Sequence, residues 1–230
     1  KYLCFLDSDD WYKENHLLNF YREIEKRLEP IAIFFSGALN YSSKKISERP
    51  QAIYNDQTKY GYILINTFGL PFSCVHSEVF KDFQLDPEIM VCEDLDFFLR
   101  ACTKYKIIQI KSQEYVYNLH DETFTLGHPN KIELEYSNYK KIFKKDLLKG
   151  KLPIKQRFQL LSKCHYFFAI KAHNNQQSLI TIRHIFTSLS LSPRGYNRKT
   201  NKTLLILFIY NLPLIGFLIR KLVEQMKRFG

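Results

Sequence analysis

Short apolar runs broken by polar turns dominate the first half of the chain. Tyr2 to Leu6 is continuous and apolar, which predicts a strand buried on both faces of a mainly parallel sheet. Leu17, Tyr21, Ile24 and Leu28 then recur at helical spacing up to Pro30, and Ile31 to Ser36 predicts the next strand. Residues 40 to 60 are polar and read as a loop. Phe72 to His76 predicts a short strand, Ser77 to Phe83 a short helix, and Leu95, Phe98, Leu99 and Cys102 one face of a longer helix. Ile107 to Ile110 and Tyr115 to Tyr117 are strand-like, so the alternation predicts an α/β class with ligands bound where loops leave the carboxyl ends of strands.

Beyond residue 130 the pattern becomes helical and rich in lysine, over Asn130 to Lys149, Ile154 to Asn174 and Gln177 to Ser190. Pro193, Gly195, Arg198, Lys199 and Lys202 then read as a linker. Leu204 to Ile219 follows, apolar except for Asn211 and interrupted by Pro213, with Arg220, Lys221, Lys227 and Arg228 after it. A span needs about twenty apolar residues. This shorter run predicts a segment lying at an anionic membrane surface, or a hydrophobic helix packed on its neighbours.

Composition sharpens the division. The 230 residues are 45% hydrophobic and 15% aromatic, enough for one sizeable core. Residues 1 to 130 carry 14 Lys and Arg against 19 Asp and Glu, and residues 131 to 230 carry 20 against 4, so an acidic half precedes a basic one. That asymmetry, with no interleaved basic and aromatic reader motif, argues against nucleic acid as the partner; a non-catalytic scaffold binding nucleic acid or membrane is the rival reading. Five scattered cysteines without metal-like spacing point to a reducing, cytoplasmic compartment. The first residue is not Met and a strand begins at once, which predicts that an N-terminal portion precedes this chain.

Two acid clusters carry the candidate chemistry. Asp7, Asp9 and Asp10 crowd the end of the first strand, where like charges raise one another's pKa unless a cation sits nearby. Hard oxygen ligands on a loop suit Mg²⁺ or Mn²⁺. The alternative is capping of the next helix by Asp7 and Asp10. Glu93, Asp94 and Asp96 open a periodic helix, where capping and an Asp96–Arg100 i,i+4 pair are again the alternative.

FLDSDDW, then FKDFQLDPEI, then EDLDFFLRA resemble, in this order, the second half of a family 2 glycosyltransferase of the GT-A fold, from about Tyr2 to Thr125. The resemblance implies the C-terminal half of the catalytic domain over 1–128; the lysine-rich helical pattern and the basic-flanked apolar run add a basic helical region over 129–198 and a membrane-associating helix over 199–230. It implies that Asp7 and Asp9 hold a divalent cation on the diphosphate of a nucleotide-sugar donor, with Asp9 the more direct ligand. Asp94 is the implied base for the acceptor hydroxyl, Glu93 orients it, and Arg100 steadies the acidic loop on the cofactor side. His120, in YNLHDETFT, is implied as a further group reaching metal or diphosphate; the alternative is a surface histidine. Trp11 either shapes the acceptor site or packs. The implied activity is inverting sugar transfer to a glycan or lipid-linked acceptor in cell-envelope polysaccharide synthesis, on the cytoplasmic face of the membrane. The family's nucleotide-binding first half is absent from these residues.

Overall fold

The computed structural model describes residues 1–42, 44–49, 52–66, 69–120, 130–193 and 198–212, without side chains for 198–200. The chain divides into two compact units: Lys1–Lys131 with Lys140–Leu152, and Ile132–Tyr139 with Pro153–Gly230. Among the described residues the fold is mixed α/β, with eight α-helices and two small sheets.

The first unit runs β1 (Tyr2–Cys4), β2 (Trp11–Tyr12), α1 (His16–Lys26), β3 (Ala32–Phe35), β4 (Ala38–Ser42), β5 (Lys45–Glu48), α2 (Lys59–Ile65), β6 (Ser73–His76), α3 (Ser77–Asp82), α4 (Glu93–Ala101), β7 (Lys106–Gln109) and β8 (Tyr115–Asn118). The strand orders are β1-β6-β3-β7 and β2-β8-β4-β5. The expected mainly parallel sheet is corrected here: β3/β7 and β4/β8 are parallel, and the other four pairings are antiparallel. An apolar run signals burial but not direction, and β6 enters between β1 and β3 in the reverse sense. The two parallel pairs are continuous in chain order, β3 passing to β4 and β7 to β8. Ile110 N–H to Phe35 O at 2.8 Å and Gly37 N–H to Ser112 O at 2.7 Å join them at the crossing from one sheet to the other.

The strands β3 and β6 are buried throughout; β3 is unbroken apolar from Ala32 to Phe35, whereas β6 buries the polar Ser73 and His76 along with Cys74 and Val75. The strand β1 is instead an edge strand with Leu3 exposed, against the expectation of burial on both faces. The helix α1 lays Phe20 and Ile24 on Ala32, Phe34, Cys74 and Ile110. Its inward face is His16, Phe20 and Ile24, whereas Leu17, Tyr21 and Leu28 are exposed. The expected stripe holds at Ile24 and is one position off at Leu17 and Tyr21, because His16, Phe20 and Ile24 fill the space over the sheet while the helix stops at Lys26. Leu28 and Glu29 then take left-handed backbone conformations, φ 59° and 51°. His16 stacks on Tyr12 with centroids 4.1 Å apart, and burial pushes its pKa down to about 4, so the ring is neutral. The polar stretch expected as a loop takes in the end of β4 and all of β5; its strand character lies in the pairing of β5 with β4 and of β4 with β8, which local polarity conceals.

Below α4 sits a buried charge network. Asp96 has a fully buried side chain, held by Arg100 Nη2 at 2.7 Å and Lys145 Nζ at 2.7 Å. Lys145 also meets Asp86 at 2.7 Å, and Arg100 donates to Gln84 O at 2.7 Å.

The second unit is helical. It takes in Ile132–Tyr139 of α5 (Lys131–Lys144), then α6 (Ile154–Asn174), α7 (Ser178–Leu191) and α8 (Arg198–Asn211). Leu204 and Leu207 of α8 pack against Ala169 of α6 and Ile185 of α7. Arg198, Lys199 and Lys202 are therefore helical rather than a linker, because the apolar positions that follow propagate the helix back across them. No helix among the described residues is long and apolar enough to cross a membrane. Pro213, Arg220, Lys221, Lys227 and Arg228 lie outside the described residues.

Asp96→Asn should lower unfolding free energy by about 3–5 kcal/mol, since it leaves two cations facing a neutral side chain in a buried site. Urea denaturation measures this; a loss below about 1 kcal/mol would mean the pairing is dispensable.

Candidate functional site

The acidic turn between β1 and β2 is closed by Asp10 N–H donating to Asp7 O at 3.2 Å. Asp10 is buried and does not cap α1, whose N-cap position is Asn15. Its carboxylate accepts the Tyr115 hydroxyl and, at 2.7 Å, the Asn118 N–H. Both partners belong to β8, so one carboxylate of the cluster fastens the turn to the second sheet. Trp11 pairs with Val116 and packs edge-on against Tyr41 at 5.1 Å.

That fastening brings together residues far apart in sequence. His120, just past β8, places Nε2 3.0 Å from Asp9 Oδ2, both groups partly exposed. The charge of Asp7 acts on Glu93 and Asp94 at the start of α4. Asp7, Asp9, His120, Glu93 and Asp94 thus belong to one neighbourhood of the first unit. Arg100 contacts Asp96 and Gln84, and its guanidinium lies 6.0 Å from the centre of the Phe83 ring.

The helix α4 begins abruptly. Cys92 adopts φ 68°, a left-handed conformation uncommon for a residue with a side chain, and turns the chain directly into Glu93. Gly69 approaches from the preceding loop. A Cβ there would stand 3.2 Å from Asp94 Oδ2 and 3.0 Å from Phe72 Cε1, so the absent side chain is what lets the loop close over the carboxylate. The Leu70 N–H donates to Asp94 and favours its charged form. Burial and the charges of Glu93 and Asp7 outweigh this and push the Asp94 pKa up to about 7. Glu93 is raised by burial and by Asp7, against a backbone N–H. Asp7 is raised by burial, then by Asp10 and Asp9.

Three of these carboxylates therefore stand in a field that favours protonation, which a bound cation would relieve. Asp7, Asp9 and His120 are the groups that would hold one, although among the described residues no three His, Cys, Asp or Glu side chains already form a ligand set. Water and ligand oxygens would complete such a shell. Asp10, Gly69 and Tyr115 were not distinguished by sequence reasoning. Asp10 reads as one more acid in the cluster, and nothing local marks Gly69 or Tyr115.

The sign of the Asp94 shift makes a thermodynamic prediction. Folded Asp94 keeps a proton to about pH 7, whereas the unfolded chain releases it near the ordinary aspartate value, so this group erodes stability as pH rises from about 4 to 7. With a chelator present, Asp94→Asn should raise the thermal midpoint at about pH 8 and converge on the parent at about pH 4. Equal midpoints at both pH values would mean that Asp94 ionises normally. No family model matches this chain, and no curated protein does.

Proposed function

We propose that the first unit belongs to an inverting glycosyltransferase, moving a sugar from a nucleotide-diphosphate donor to a hydroxyl of a glycan or lipid-linked acceptor. The observation that carries the reading is the meeting of two distant acid clusters, with Asp94 held near neutrality and Asp9 paired to His120. The motif resemblance gives the reading its family.

In this reading Asp94 accepts the proton of the acceptor hydroxyl as that oxygen attacks the anomeric carbon. A base with a pKa near 7 is suited to that task at neutral pH, being both substantially ionised and basic enough to take a proton. Glu93 holds Asp94 in its high-pKa state and orients it. Asp7, Asp9 and His120 are assigned to the donor diphosphate through Mg²⁺ or Mn²⁺; a bound cation there supplies charge neutralisation for the departing diphosphate. Arg100 acts at one remove, fixing α4 through Asp96. The basic second half is assigned to an anionic membrane surface on the cytoplasmic side, where each nearby Lys or Arg contributes about 1 kcal/mol.

Transfer by the full-length protein, assayed with Mg²⁺ or Mn²⁺ and a panel of nucleotide sugars, tests the reading. Asp94→Asn should cost about 10²–10⁴-fold in turnover with folding intact. Near-parental turnover would remove the base assignment, and no turnover of any donor by the parent protein would remove the reading. For the membrane assignment, Lys131–Gly230 is predicted to draw the chain to vesicles containing anionic lipid, with release as salt is raised. Equal binding to neutral vesicles would oppose it.

A further inference from the structure

Two of the five cysteines face each other across paired strands. The register of β1 and β6 sets Tyr2 opposite His76, Leu3 opposite Val75 and Cys4 opposite Cys74. Ser77 N–H donates to Lys1 O at 2.8 Å, which marks the position just before this register as a hydrogen-bonded one. Antiparallel positions alternate, so Tyr2/His76 and Cys4/Cys74 are both non-hydrogen-bonded pairs, where opposed Cα atoms approach to about 4.5 Å. The Tyr2 and His76 rings are in contact on that face, with centroids 4.9 Å apart. A Cα separation of that size lies inside the window a disulfide tolerates, about 4.4–6.8 Å.

We propose that Cys4 and Cys74 are an oxidation site, which hydrogen peroxide converts into a reversible cross-strand disulfide joining the edge strand β1 to β6. The Cys4 thiolate attacks one peroxide oxygen; the O–O bond breaks, leaving Cys4 sulfenic acid and a hydroxide that is protonated to water. The Cys74 sulfur then attacks the Cys4 sulfur, the S–O bond breaks, and the hydroxyl departs as a second water with the Cys74 proton. Two thiols lose two electrons and one peroxide becomes two waters.

The division of roles follows from the surroundings. Cys4 is partly exposed and Cys74 buried, so peroxide reaches Cys4 first. The thiols are hydrogen-bonded, an interaction that lowers the Cys4 pKa and raises that of Cys74. Cys4 also ends the strand that leads directly into the Asp7–Asp10 turn, so the bond would tether the acidic turn at its root. Cys102, by contrast, is buried just past the end of α4 and donates to Leu99 O at 3.2 Å. The inference is independent of the proposed sugar transfer.

Peroxide titration of the folded chain, followed by intact mass and peptide mapping, tests it. The expected result is loss of two hydrogen atoms, a single linked pair of peptides containing Cys4 and Cys74, and a higher thermal midpoint that dithiothreitol reverses. Cys4→Ala and Cys74→Ala should each abolish the link, and Cys102→Ala should leave it. Should Cys74→Ala fail to fold, Cys4→Ala and the peptide map decide the matter. Sulfinic acid at Cys4 without a linked peptide, linkage through another cysteine, or equal linkage in urea-unfolded chain would overturn the proposal.

Discussion

The site depends on one buried carboxylate being committed to structure. Asp10 accepts from the Tyr115 hydroxyl and the Asn118 backbone, and in doing so fixes the β1–β2 turn against the strand from whose end His120 projects. Water cannot compete well for these donors at a buried position, so the turn has one stable placement. Without that fastening, three acids in four residues would repel one another into solvent. With it, Asp9 is held beside His120 and Asp7 is held where its charge reaches α4.

This arrangement has a cost that the fold carries elsewhere. The left-handed Cys92, the close approach at Gly69 and the raised Asp94 all work against stability, and all concern one turn of backbone. The compensating interactions lie one helical turn further along, where Asp96 gathers Arg100 and Lys145, and in the strands β3 and β6, buried along their whole length. A rigid support thus lies beneath a strained and charge-crowded rim, which is what the proposed site would require.

Much of this was legible in the sequence, for identifiable reasons. A continuous apolar run located β3, and helical spacing located α4 and α6, because burial and periodicity are local properties; β6 lies within the strand expected at Phe72 to His76. Strand direction was not legible, since the same side chains suit either sense, and the β4–β5 pair was hidden by its polarity. The two acid clusters stood out as clusters. Their division into fastener, field and proposed base did not, because it depends on Tyr115, Asn118 and Leu70, which reach those carboxylates only after the chain has folded.

The contrast between Asp94 and Asp96 is what the proposed base assignment rests on. They stand two positions apart on one helix, Asp96 fully buried and Asp94 half-buried. Asp96 has a cation on each side, which is how a buried charge is made tolerable. Asp94 has no cation partner among the described residues; Glu93 and Asp7 press on it, and one backbone N–H opposes them. Lys145 comes from a segment distant in sequence to serve Asp96, so the fold is able to deliver positive charge to α4. A carboxylate supplied with cations is held ionised and is a poor acceptor of protons. One left without them keeps its basicity, and that property is what separates a proton acceptor from a structural ion pair.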